Sequence, residues 1–385
     1  LSAKRIAPQS CRFARLRMIA IDVVLTEVDD DSDLRRNREW LTMINLTSDA
    51  NFRVEPNLIN PDASDNAKRL MAFLCDMYGK RMLTGQQAGV GRNPEPEIIL
   101  EATGKYPAVM GFDLMDYSPG RTERGAVSQD TDLAIDWWKQ GGIVTFCWHW
   151  GAPKDLLDRD PDQHWSKGFY ANATAFDIEA AMKDPSSESF ALLLRDIDAI
   201  AEELRRLQDE GVPVLWRPLH EASGGWFWWG AKGPGPCIAL WKLMYDRLTR
   251  LHGLNNLIWV WNGQHGDWYP GDEYVDIIGE DIYPPERNYE SQVDRFRQAL
   301  SYTSANKIIT LSENGPLPDP DLLIQDGAPW SWCCTWYGTF VYREDNGRLV
   351  YSEKYTELKM LRKLYDHPFT LTREDLPDLT AYRLP

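Results

Sequence analysis

Two glutamates carry the first chemical signal in this chain. Glu221 stands in the run 212–230, VPVLWRPLHEASGGWFWWG, and Glu313 stands in SENG at 312–315. Each follows a short apolar stretch of the kind that forms a strand buried on both faces, so each carboxylate is delivered at a strand end. A pair of carboxylates flanking one bond can cleave a glycoside. One, protonated, assists the leaving oxygen, and the other, ionised, attacks the anomeric carbon or activates water. The general-acid half alone is worth about 10²–10⁴ in rate. The bland alternative makes either glutamate a structural ion pair with Arg217 or another base.

The neighbours of these glutamates suit a sugar. His149 and His220 can hydrogen-bond sugar hydroxyls or the carboxylates. In GEDIYP at 279–284, Asp281 can serve a sugar hydroxyl and Tyr283 can donate to a catalytic carboxylate. Glu280 points the opposite way along the same strand, which disfavours it as a catalyst. Trp165, Trp226 and Trp336 are candidate platforms, because flat rings stack on the apolar faces of pyranoses. Metal is not expected: His220-Glu221-Ala222-Ser223 lacks the second histidine of HExxH, and no third ligand has suitable spacing. There is no phosphate-binding glycine loop and no serine in GxSxG, so phosphoryl transfer, hydride transfer and serine hydrolysis drop out and no cofactor is called for.

These residues need elements that converge. Apolar runs predict strands at 82–87, 108–114, 143–150, 212–216, 257–262, 275–283, 307–313 and 330–337, mostly separated by helical patterns. The longest helix is expected at 187–210, another at 238–251, another at 290–301, and a closing one at 352–364. Eight βα units in one series predict an α/β fold, a (β/α)8 TIM barrel, spanning 58–385. Residues 1–57 form a short N-terminal extension of unclear role. Active-site groups of such barrels lie at the C-terminal strand ends. Those ends carry Gln86, Gln87, Asp113, His149, Trp150, His220, Glu221, Asn262, Asp281, Tyr283, Glu313 and Trp336.

Composition narrows the partner. The 385 residues suit one large barrel, and a net charge of -16 repels nucleic acid and anionic lipid. With 17 Trp, 16 Tyr and 12 Phe, the chain carries more aromatic surface than packing requires, which fits a neutral polysaccharide. The apolar run 16–25 is interrupted by Arg17 and Asp22 and is too short to span a bilayer, so no membrane insertion is expected. A monomer, secreted or held at the cell surface or in the periplasm, is the expected state. Cys333 and Cys334 are neighbours on a strand and point to opposite faces, so free buried thiols are expected rather than a mutual disulfide. Asn45 and Asn172 begin N-glycosylation sequons.

Taken together, WRPLHE with GGWFWW, GKYPAVMGFDLMDY at 104–117, CWHW ending at Trp150, GEDIYP and SENG resemble glycoside hydrolase family 26, best known for endo-β-1,4-mannanases. The resemblance spans about residues 58–365. It implies a retaining double displacement in which Glu221 matches the acid/base and Glu313 the nucleophile, with no cofactor. His220 matches the histidine before the acid/base. His149, Trp226 and Tyr283 match residues around the cleaved sugar, Tyr283 being placed to bond the nucleophile, and Trp165 and Trp336 match further aromatic positions. Asn314 stands where family members often carry a bulky hydrophobic residue, and is expected to alter the neighbouring subsite. Mixed-linkage β-glucanases and β-1,3-xylanases resemble the same family, so the expected substrate, a mannan, glucomannan or galactomannan, rests on the resemblance.

Overall fold

The computed structural model describes residues 50–89 and 93–385. The expected extension, with Cys11 and Asn45, lies almost wholly outside the described residues.

Eight strands close a barrel in chain order: β1 (Gly85–Gln87), β2 (Val109–Asp113), β3 (Ile143–Cys147), β4 (Val214–Arg217), β5 (Leu257–Trp261), β6 (Ile277–Ile282), β7 (Ile308–Asn314) and β8 (Cys333–Thr335). Every neighbouring pair is parallel, and β8 returns to β1 through Gln86 and Thr335. Every residue of β3 to β7 is buried. The strands therefore begin as apolar runs, because one face meets the barrel interior and the other meets helices, and β4, β6 and β7 turn polar toward their C-terminal ends. Space inside the barrel is allotted residue by residue. A Cβ at Gly111 would lie 1.9 Å from Gln87 Oε1, so glycine in β2 is what lets the Gln87 side chain turn inward, where its Nε2 donates to Ser312 O at 3.3 Å.

The helix that feeds β4 spans Glu188–Asp209. Ser187 caps it, its hydroxyl accepting from Phe190 N at 3.1 Å, which satisfies a backbone donor the helix cannot. Leu193, Ile197, Ile200, Leu204 and Leu207 recur at helical spacing and are fully buried, fixing one face against the barrel. Gly211, at φ 71°, turns the chain into β4.

Several predicted boundaries differ, each for a local reason. The stretch 82–87 is two strands: Met82–Leu83 pairs with Thr370–Leu371 beside the barrel, and the chain enters β1 only after Thr84. Strand β3 stops at Cys147, so His149 and Trp150 lie on the following loop. Likewise β8 is confined to Cys333–Thr335, and the helix expected at 290–301 covers Val293–Leu300. Helix Pro234–Tyr245 ends in a wider π turn, Asp246–Leu251. The closing helix is Leu358–Asp366, and a hairpin, Tyr342–Asp345 with Arg348–Tyr351, occupies the space before it. Cys333 and Cys334 are both buried free thiols, as are Cys147 and Cys237. Among the described residues no helix is long and apolar enough to cross a membrane.

Candidate active site

The C-terminal ends of β4, β6 and β7 bring three carboxylates together, and an arginine joins two of them. Arg217, the last residue of β4, is 1% exposed. Its Nη1 donates to Asp281 Oδ2 at 2.8 Å, and its Nη2 donates to Glu313 Oε1. A guanidinium inside an otherwise apolar strand needs such partners, since an unpaired buried charge is very costly. Burial opposes its charge, but the Asp281 and Glu313 carboxylates outweigh burial and hold the guanidinium firmly protonated. Tyr283 donates its hydroxyl to Glu313 Oε2 at 2.6 Å, so both oxygens of Glu313 are addressed. Burial, and then the Glu313 carboxylate, push the Tyr283 phenol well up, so it remains a donor.

Glu221 arrives from β4 through a strained loop. Leu219 and Glu221 both hold left-handed backbone, φ 51° and 53°, a conformation that L-residues rarely adopt. The loop is anchored by Asn262, whose backbone oxygen and Oδ1 accept from Glu221 N at 2.8 and 3.1 Å. Asn262 Nδ2 donates in turn to Asp281 Oδ1 at 2.8 Å. One oxygen from each of Glu221, Asp281 and Glu313 lies within 4.8 Å of the others. Burial, reinforced by the Glu313 charge, raises the Glu221 carboxyl to about 7. That suits a group that must hold a proton near neutrality and then release it.

Above Glu221 sits Trp226, 48% exposed, whose Nε1 donates to Glu221 Oε2 at 2.9 Å. Gly224 makes that approach possible, because a Cβ there would lie 2.0 Å from the Trp226 ring. The rest of GGWFWW turns inward. Phe227, Trp228 and Trp229 are buried, and Trp228 and Trp229 donate to Trp150 O and His220 O at 2.6 and 2.9 Å. Beside Trp226 opens a groove of about 520 Å³ that includes Tyr170, Lys167 and Asn172 in its lining.

Other expected site residues fall differently. His149 and His220 meet, Nε2 to Nε2, at 3.2 Å, and Trp336 lies beside His149 with ring centroids 5.8 Å apart. Asp281 does not turn toward a sugar hydroxyl: its side chain is fully buried and both oxygens are engaged by Arg217 and Asn262. Trp165 does not offer a bare ring, because the Arg121 and Arg124 guanidiniums lie 5.5 and 5.6 Å from its centre. Asn314 is buried. It follows Glu313 on the strand and so faces the other way, where Nδ2 bonds Gly315 O, Pro316 O and Thr335 Oγ1. Glu280 also faces away, bonded to Arg295 and Tyr302.

From the sequence Arg217 is expected to have at most a structural part, and Asp113 and Asn262 stand at strand ends with no role assigned. The signal for Arg217 was an arginine in a buried strand. Among the described residues two groups of side chains have metal-ligand proximity, Glu221 with Asp281 and Glu313, and Asp113 with Cys147 and His149. In the first the Arg217 guanidinium already bridges two carboxylates, and in the second His149 Nδ1 is bonded to Asp113, so both sets are committed within the protein.

Known proteins resemble this chain over most of its length. The family model for glycosyl hydrolase family 26 matches residues 59–375. A mannan endo-1,4-beta-mannosidase of Thermothelomyces thermophilus is 42% identical over 359 residues, covering 92% of this chain and 71% of the relative. Mannan endo-1,4-beta-mannosidase B of a Piromyces species is 36% identical over 88% of this chain, which spans only 56% of that relative's length. Among solved structures, a Podospora anserina GH26-CBM35 beta-(1,4)-mannanase matches with a TM-score of 0.79 and 43% identity, over 85% of this chain and 70% of the other.

Proposed function

The chain belongs to glycosyl hydrolase family 26, and from that premise we propose that it is a retaining endo-β-1,4-mannanase acting on mannan, glucomannan or galactomannan. The observation that carries the mechanism is the approach of Glu221 and Glu313 oxygens to within 4.8 Å. Retaining pairs stand about 5–5.5 Å apart, whereas inverting pairs need ~6.5–9.5 Å to admit a water. In the first step Glu313 attacks the anomeric carbon while Glu221 gives its proton to the departing oxygen, leaving a glycosyl ester on Glu313. In the second, water attacks that carbon, Glu221 takes the water's proton and Glu313 leaves. Arg217 and Tyr283 hold Glu313 in line, and Trp226 both braces Glu221 and offers its exposed face to a sugar. His149, His220 and Trp336 pack on one another. A polymeric substrate of this size also fits an enzyme working outside the cytoplasm.

The substrate follows from the mannanase relatives and the mechanism from the carboxylates, so each has its own test. Replacing Glu313 by Ala is expected to abolish turnover with the fold retained by circular dichroism, and near-normal hydrolysis by that variant would overturn the mechanism. Proton NMR during manno-oligosaccharide cleavage is expected to show the β-anomer first. Galactomannan, glucomannan and barley β-glucan run side by side test the substrate, and faster cleavage of the β-glucan would displace mannan.

A further inference from the structure

Behind the two glutamates runs a line of polar groups to which the mechanism above gives no chemical role. Asp113, at the end of β2, places Oδ2 2.6 Å from His149 Nδ1, and its Oδ1 accepts from His149 N at 3.0 Å and Met115 N at 2.9 Å. His149 Nε2 then meets His220 Nε2 at 3.2 Å. His220 is 1% exposed, and its Nδ1 is buried with no hydrogen-bond partner among the described residues.

The protons follow from what each atom can do. An ionised Asp113 only accepts, so His149 Nδ1 carries a proton. One further proton lies between the two Nε2 atoms. If it belongs to His220, His149 is neutral and the Asp113 charge faces an uncharged ring. If it belongs to His149, an imidazolium pairs with Asp113, and His220 is neutral with its own proton on Nδ1. The second arrangement matches one shielded anion with one shielded cation, which is the cheaper way to bury either.

Resting on the acid/base role of Glu221, we propose that Asp113 is a positioning residue for this reaction: it holds His149 as an imidazolium, and that positive charge acts on Glu221 so that the general acid can release its proton. Groups on every side bear on His149. Glu313 from β7 favours the imidazolium and Arg217 from β4 opposes it, while burial and then the His149 charge hold His220 neutral. Behind Asp113, the carboxylate of Asp130 accepts from Asp113 N at 3.2 Å, and burial raises that carboxyl to about 6. The Cys147 thiol, 3.9 Å from His149 Nδ1, is pushed well up by burial and contributes no charge. Burial alone would neutralise His149, but the Asp113 charge and hydrogen bond outweigh it and raise the imidazole. Burial disfavours charge on Asp113 too, and the His149 charge more than compensates, so its carboxyl falls below the usual range. The His149 charge is among the influences that pull Glu221 down.

The test is Asp113→Asn, which keeps an acceptor for His149 Nδ1 and removes the charge that holds the imidazolium. The basic limb of the kcat/KM profile on manno-oligosaccharides is expected to move up by about half to one pH unit. The shift is modest because Asp113→Asn removes the His149 charge and the opposite Asp113 charge together, so only their difference is felt at Glu221. A merely structural Asp113 would lower the whole profile and leave the limb in place, and that result overturns the proposal. An arm free of substrate and mutational damage uses the intact enzyme. With ¹⁵N-histidine, and His149 assigned from a His149→Gln spectrum, His149 is expected to stay doubly protonated well above pH 6.5 while His220 stays neutral. A singly protonated His149 at the acid side of the activity profile refutes the proposal, whatever becomes of the mannanase reading.

Discussion

Replacing Glu221 by Gln should make the folded protein more stable at alkaline pH while removing its general acid. Glu221 is partly buried, and burial with repulsion from Glu313 lifts its carboxyl from 4.5 to about 7. An unfolded chain ionises this group near 4.5, whereas the folded one keeps the proton to about 7. Between those values unfolding releases a proton, so stability falls as pH rises through the window and the loss is complete above it. At ~1.4 kcal/mol per pH unit, the loss is roughly 3 kcal/mol above pH 7, part of it belonging jointly to Glu221 and Glu313. Glutamine is nearly the same shape, can still accept from Trp226 Nε1, and carries no charge at any pH. In a barrel of this size the difference corresponds to roughly 5 °C in melting temperature. Thermal melts of wild type and Glu221→Gln are compared at pH 8 and pH 4. The variant should melt higher at pH 8 and together with wild type at pH 4. Coincident melts at pH 8, or an equal gap at both, would refute the reasoning, because then the raised carboxyl is not what the variant removes.

Three further expectations accompany this one. Arg217→Met leaves Asp281 and Glu313 buried without their shared cation, and should cost about 3–5 kcal/mol in urea unfolding; a loss below ~1 kcal/mol would mean that water reaches these carboxylates. Trp226→Phe removes a donor that favours ionised Glu221, so the basic limb of kcat/KM should move up by about half a pH unit, the modest size reflecting a half-exposed indole. Glu313→Ala should lose turnover at unchanged fold, as set out above, with circular dichroism as the control.

How much of this was legible in the sequence depended on distance along the chain. The barrel could be read because strands covered on both faces must be continuously apolar, and because Ser187 and the spacing of Leu193, Ile197, Ile200 and Leu204 mark a helix locally. Strand alternation likewise separated Asp281 from Glu280. What could not be read were pairings made across the barrel. Arg217 meets Asp281 64 residues later and Glu313 96 residues later, and no local pattern encodes either meeting. Asp281 then faced the right way but was already engaged, which composition could not reveal. The cations beside Trp165 were unreadable for the same reason: Arg121 and Arg124 come from the preceding βα connection.

The small pairing of Met82–Leu83 with Thr370–Leu371 bears on how the chain is made. Thr84 N and Oγ1 both donate to Leu371 O, across 287 residues of sequence. On a ribosome the first βα unit therefore waits for nearly the whole barrel to be synthesised before this edge is covered. Until Leu371 emerges, the strand that leads into β1 presents unpaired backbone to its surroundings, so this edge is covered only after all eight barrel strands have been made.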